Sequence, residues 1–129
     1  MRDGAVPSKN VVARVKHAIR RGADPLGDVS CALRSARERR SSGAVLTPPA
    51  IVDSMLAWAE AQGNPCRVVD PGAGSARFLA GAGRKFPDAT LVAVESEPLA
   101  ALTARGNLVA SGMAARSAVR VENLLLHET

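Results

Sequence analysis

Two carboxylates and a pair of glycines are the residues of this 129-residue chain best placed to do chemistry. Asp70 closes a short apolar run, Val68-Val69, and leads straight into Pro71-Gly72-Ala73-Gly74-Ser75-Ala76-Arg77-Phe78. Glu95 closes a second apolar run, Leu91 to Val94, 25 residues after Asp70. A strand that ends in an acid and turns through glycines into a helix builds a crevice beyond the carboxyl end of a sheet, where a nucleoside-containing ligand can lie. Gly72 and Gly74 leave out Cβ atoms where backbone must approach that ligand, and positive φ is expected at one or both. An acid at the end of the next strand is placed to accept hydrogen bonds from both ribose hydroxyls. A purely structural tight turn would need only the glycines; Asp70 and Glu95 at this spacing favour the ligand.

Other nucleotide sites fit less well. A dinucleotide-binding G-x-G-x-x-G needs a third glycine at position 77, which is Arg77, and no Gly-Lys-Ser/Thr follows the first strand as a P-loop requires. His17 and His127 have no partners at metal-ligand spacing, and Cys31 and Cys66 lack a C-x-x-C pattern; both cysteines read as buried thiols in a reducing, cytoplasmic setting. No metal is expected.

The elements that must position these residues alternate in type. Val11, Val12, Val15 and Ile19 recur at helical spacing, with Asn10 as cap and Gly22 as stop. A turn through Asp24, Pro25 and Gly27 leads to a second helix over Val29 to Arg40, closed by Ser41-Ser42-Gly43. Thr47 caps a third helix with Pro48 at its first position and Ile51, Val52, Met55, Leu56 and Ala59 as its apolar stripe, up to Gly63. From Val68 the order becomes strand, helix (Ser75 to Lys85), strand, helix (Pro98 to Ser111), strand (Ala118 to Val121). Alternation of this kind implies an α/β fold with a parallel sheet, right-handed crossovers and helices on its faces. The length suits one core, and the division expected is a basic helical arm over 1–46 and a nucleotide-binding unit over 47–129.

Composition is globular, with 47% hydrophobic and 22% charged residues, and no apolar run approaches the roughly 20 residues of a membrane span. No secretory signal pattern opens the chain. The net charge of +5 is uneven: residues 1–40 hold ten Lys or Arg against four acids, and residues 41–129 hold seven against eight. Arg34, Arg37, Arg39 and Arg40 cluster in the basic part, which suits a polyanion as readily as a solvated helical face. No aromatic residue interleaves them to stack on bases.

From about residue 10 onward the chain resembles the DNA adenine-N6 methyltransferases of the TaqI-like and Eco57I-like class. The resemblance rests on Gly43-Ala-Val-Leu-Thr-Pro-Pro49, on Asp70, Pro71, Gly74, Ser75 and Phe78 within Asp-Pro-x-x-Gly-Ser-x-x-Phe, and on Glu95 within Val-Ala-Val-Glu-Ser-Glu-Pro98; Arg39, Arg40 and Gly43 match the lead-in of Eco57I-like members. It implies a Rossmann-like methyltransferase fold, here a partial one of three strands, with helices on both faces. It also implies S-adenosylmethionine as cofactor, the Thr47-Pro48 segment against its methionine part, Asp70, Pro71, Gly72 and Gly74 lining the pocket, and Glu95 on the ribose. DNA is the implied partner.

The sequence departs from the family at several places. Ala76 replaces a glycine, Leu46 stands where many members have Tyr, and Ser96 replaces an apolar residue expected against the adenine ring. Asn123 stands where the family has an Asp that contacts the adenine amino group; its amide carbonyl can still accept that bond, and a cap or turn role after the third strand is the equal alternative. The Asn/Asp-Pro-Pro-Tyr/Phe motif that orients the target adenine is absent; Thr47-Pro-Pro-Ala50 lacks both its polar group and its ring. Without that motif, positioning worth several kcal/mol is missing and negligible transfer by this chain alone is expected. A separately encoded C-terminal half would supply it and cover the first strand's exposed edge. The alternatives are a fragment of a small-molecule or RNA methyltransferase and a non-catalytic binding module of the same fold.

Overall fold

The computed structural model describes residues 4–35, 38 and 46–126. Arg37, Arg39, Arg40, the Ser41-Gly43 linker and His127 lie outside the described residues. Helices α1 (Lys9–Arg20), α2 (Pro25–Leu33) and α3 (Pro49–Gln62) precede β1 (Arg67–Asp70), α4 (Arg77–Lys85), β2 (Thr90–Glu95), α5 (Pro98–Ala110) and β3 (Ser117–Val121). Short 3-10 turns at Ala114–Arg116 and Leu124–Leu126 flank β3.

The three strands form one parallel sheet in the order β1-β2-β3, with Val68 beside Leu91 and Ala93 beside Val119. The α/β class and the strand alternation are as expected. Helices on both faces are not found among the described residues. Val68, Leu91, Ala93 and Val119 pack against Leu79 of α4 and Ala104 and Leu108 of α5, while Val69, on the opposite face, is 51% exposed. The physical reason is topological: the strand order advances in one direction, so two crossovers of the same hand lay their helices on the same face. β1 is an edge of the described sheet, as anticipated.

Helix α4 is the centre of the helical layer. Its Leu79, Ala80, Gly81, Ala82 and Gly83 are all buried. A Cβ on Gly83 would lie 2.4 Å from Met113 Sδ and 2.8 Å from Leu91 Cδ1, so glycine sets how closely α4 approaches the sheet. Helix α3 packs on the outer side of α4 through Val52 and Leu56, with Ala59 half-buried against the same cluster. Residues 52, 56 and 59 form that stripe, and Ile51 and Met55, expected in it, are exposed. Arg116 crosses to the end of α4, donating to the carbonyls of Gly83, Phe86 and Ala89 at 2.6, 3.2 and 2.7 Å, a side-chain cap for a helix end rich in orphan acceptors.

Three caps differ from the sequence reading. Ser8, not Asn10, caps α1, its Oγ accepting from Val11 N–H. Helix α2 starts at Pro25, with Asp24 as its cap, and ends at Leu33, where Arg34 becomes extended; the helix expected over Val29 to Arg40 thus starts earlier and is broken at Arg34, and its Arg37, Arg39 and Arg40 lie outside the described residues. Pro48 is the cap of α3 and Pro49 its first residue, one position later than expected, so Thr47 lies outside the helix. A proline at N1 needs no donor, which makes either proline acceptable and leaves packing to choose. Cys31 is half-buried and Cys66 exposed rather than both buried, and they form no disulfide. No helix among the described residues is long and apolar enough to cross a membrane.

Candidate functional site

The glycine turn is built from both ends. Asp70 ends β1 paired with Ala93, and Ala73 N–H donates to the Val94 carbonyl at 3.1 Å, carrying the turn across to the neighbouring strand. Gly74 has φ +52, a left-handed conformation that glycine adopts without strain, and its N–H donates to Glu95 Oε2 at 2.8 Å. Gly72 does not have positive φ; a Cβ there would meet nothing within 4 Å, so this glycine faces open space. Ala76 adopts φ 62, ψ 27 while wholly buried, an L-residue in the conformation expected of the glycine it replaces.

Glu95 is the site's organiser. Its other oxygen, Oε1, accepts from Glu97 N–H at 3.0 Å. A carboxylate offers about four lone-pair positions, so two acceptor positions remain for a diol. Asp70 stands near it and accepts a long bond from Gly72 N–H at 3.4 Å. Burial pushes the Asp70 carboxyl above its ordinary range, the Gly72 amide pulls it partly back, and the Glu95 charge raises it again.

Glu97 caps α5, accepting from Leu99 N–H at 3.0 Å and Ala100 N–H at 2.8 Å, and pairs with Arg34 at 2.6 Å. Its burial raises its pKa, but the two amides and Arg34 outweigh that and hold it below the usual glutamate range. Thr47 enters through its carbonyl, which accepts from Arg77 Nη1 at 3.4 Å; Pro48 receives the N–H groups of Ile51 and Val52. Pro71 is exposed in the turn.

The structure therefore gathers Asp70, Gly72, Gly74 and Glu95 at one end of the sheet and ties Thr47 to the first residue of α4. Asn123 follows β3, whose continuation reaches Glu95 through Glu122 N–H to the Glu95 carbonyl at 3.1 Å. Its side chain accepts from Leu125 N–H at 3.1 Å, the turn role. Two residues that the motif reading passed over are Asp24 and Asn107, both buried against Ser75. The signal available for Asp24 was its place before Pro25 with Gly27 three residues on, a cap pattern read only as a turn.

The residues present fit a nucleoside ligand on three counts: open space at Gly72, free acceptor capacity on Glu95, and a turn whose Gly74 and Ala76 are already left-handed. Among the described residues no group of three His, Cys, Asp or Glu is arranged to hold a metal. The chain is 54% identical over 100 residues to the Type II methyltransferase M.XamI of Xanthomonas campestris pv. amaranthicola, covering 78% of this chain. It is a homologue of one stretch of a Type II methyltransferase. That stretch is 17% of the relative's length. No protein-family model matches. The methyltransferase fold is also seen in a crystal structure assigned as an O-methyltransferase from Klebsiella pneumoniae, with TM-score 0.53, 21% identity, and coverage of 89% of this chain and 44% of that one. In this methyltransferase homologue the turn after β1 and the acid that ends β2 meet at the carboxyl end of the parallel strands.

Proposed function

We propose that this chain carries the S-adenosylmethionine pocket of a DNA adenine-N6 methyltransferase, and that these 129 residues bind the cofactor without transferring its methyl group. The observation that carries the reading is the Gly74 N–H bond to Glu95, which fixes a part-buried carboxylate at the lip of an open glycine turn. Glu95 would accept from the ribose hydroxyls through its remaining lone pairs. Gly72 would let the ligand lie against the turn, and Asp70 would attract its cationic methionine end. Thr47, Pro48 and Pro71 would line the same end, and Asn123 could present its carbonyl to the adenine amino group only by releasing Leu125 N–H. When bound, S-adenosylmethionine supplies an electrophilic sulfonium methyl for direct attack by the target adenine N6.

Support for DNA as acceptor comes from the Asp-Pro glycine motif with its Thr-Pro lead-in, from the basic segment 1–46, and from the similarity to a Type II methyltransferase. These residues contain no Asn/Asp-Pro-Pro-aromatic motif, so the orienting groups would come from another polypeptide stretch, which the β1 edge could receive.

Calorimetric titration of the protein with S-adenosylmethionine and S-adenosylhomocysteine tests the pocket. Binding that weakens at least about tenfold, or about 1.4 kcal/mol, in Glu95→Ala supports it, and no binding by the wild type overturns it. Co-expression with a C-terminal methyltransferase half tests the acceptor. Co-purification and methylation of adenine in duplex DNA are expected; methylation confined to RNA or a small molecule would reassign the acceptor.

A further inference from the structure

The buried carboxylate of Asp24 does more than cap α2: it accepts four hydrogen bonds, three of them from residues far along the chain. It is 7% exposed and sits between the N-terminal helices and the glycine turn. Its Oδ1 accepts from Gly27 N–H and from Asn107 Nδ2, both at 2.8 Å. Its Oδ2 accepts from the Ser75 hydroxyl and from Arg77 Nε, the latter at 3.1 Å. Four donors from α2, the glycine turn, α4 and α5 thus converge on one side chain.

We propose that Asp24 is a positioning residue for the cofactor turn, making the N-terminal helical segment part of the binding site; this rests on the cofactor reading above. Ser75 directly follows Gly74, the residue whose amide holds Glu95. Asn107 grips Ser75 from the other side, donating from Nδ2 to its carbonyl at 2.7 Å. That geometry leaves Asn107 Oδ1 buried with no hydrogen-bond partner in the structure, so the amide is turned to serve Asp24 and Ser75 at the expense of its own carbonyl. Backbone packing closes the cluster: a Cβ on Gly27 would lie 2.1 Å from Asp24 Oδ2 and 2.7 Å from Ser75 Oγ. Arg77 extends the same cluster to Asp28 at 2.8 Å and to the Thr47 carbonyl. A buried carboxylate survives only where donors saturate it, and here the donors are the elements that shape the turn.

Asp24→Asn keeps the volume and turns two of the acceptor positions into donors facing the Ser75 hydroxyl and Arg77. Asp28→Asn is the control, since Asp28 touches the same arginine but its side chain is 71% exposed. S-adenosylhomocysteine binding and backbone amide exchange are measured on the folded proteins, well below their melting temperatures. For Asp24→Asn we expect at least tenfold weaker binding and at least tenfold faster exchange at Gly74 and Ala76, with the Ala93 amide of β2 unchanged. Asp28→Asn should stay within about twofold on both readouts. A role in stability alone would lower the melting temperature and leave both readouts of the folded protein unmoved.

An Asp24→Asn protein that binds and exchanges like the wild type overturns the proposal. If the wild type fails to bind S-adenosylhomocysteine, the cofactor reading falls, and the exchange rates at Gly74 and Ala76 still decide whether Asp24 holds the turn. Should Asp24→Asn not fold, Ser75→Ala, which removes only the hydroxyl donor, takes its place with the same expected direction, and unchanged exchange at Gly74 again overturns the proposal.

Discussion

Gly74 and Glu95 are 21 residues apart and meet at 2.8 Å, where a backbone N–H of the turn after β1 donates to the carboxylate that ends β2. The bond joins two features at the carboxyl end of the sheet: a left-handed glycine and an acid with lone pairs to spare. It also means that the carboxylate proposed to accept from ribose is already oriented in the free protein, which lowers the ordering cost of binding.

Gly72 separates ligand binding from stability. Because a Cβ there meets nothing within 4 Å and φ is not positive, Gly72→Ala should leave stability within about 0.5 kcal/mol of wild type. On the proposed function the same methyl would occupy the space assigned to the cofactor, so S-adenosylhomocysteine affinity should fall at least about tenfold by calorimetry. Loss of both properties together would mean that the turn, not the open space, was disturbed.

Asp70 gives a pH signature. Its carboxyl is raised by burial and by Glu95, so the folded state holds its proton to higher pH than the unfolded chain. Its contribution to stability is therefore fully present below the unfolded pKa and is lost as pH rises through the folded one. Asp70→Asn should be the more stable protein at neutral pH, with the difference vanishing in acid, as read by urea melts at pH 7 and pH 3. Binding runs the other way: affinity of the cationic cofactor should weaken as pH falls through the raised Asp70 value, and this dependence should be absent in Asp70→Asn.

Ala76 balances opposing terms. Left-handed backbone costs an L-residue roughly 1–2 kcal/mol. Removing the buried methyl forfeits about 0.8 kcal/mol, and glycine adds about 0.5–1 kcal/mol of unfolded-state entropy. With Ala76 fully buried, Ala76→Gly should thus lie within about 1 kcal/mol of wild type in chemical denaturation. Ala76→Val, which adds β-branching in a left-handed and close-packed position, should lose several-fold more.

Glu97 ties helix α5 to the N-terminal segment. Its pKa is lowered, so its stabilising effect exists above the unfolded value and disappears as pH falls through the folded one. Glu97→Ala removes acceptors for two amides at the helix start and should cost about 1 kcal/mol at pH 7, less at pH 3. The partly exposed Arg34 pair should add little, so Arg34→Ala should cost under about 1 kcal/mol.

Gly83 tests the packing of α4. A Cβ there must displace Met113 Sδ and Leu91 Cδ1, both on buried residues. Gly83→Ala should cost about 1–3 kcal/mol by overpacking despite the better helix propensity of alanine. A stabilised variant would show that Met113 can move aside freely.

The sequence by itself determined the order of elements from β1 to β3, the left-handed glycine turn and the acid that ends β2. These are local matters: hydrophobic period, turn chemistry and an acid at a strand end act over a few residues. Only the tertiary structure decided that Val52 and Leu56, not Ile51 and Met55, face α4, because α3's choice of face depends on how closely the small residues of α4 admit it. It likewise decided that the described helices share one face of the sheet. The Asp24 cluster was the least legible feature. Ser75 and Asn107 lie 51 and 83 residues from Asp24, and nothing near Asp24 in the chain announces that a buried carboxylate will find its donors there. The packing of α2 on α5 brings them together, and that packing is a property of the whole fold.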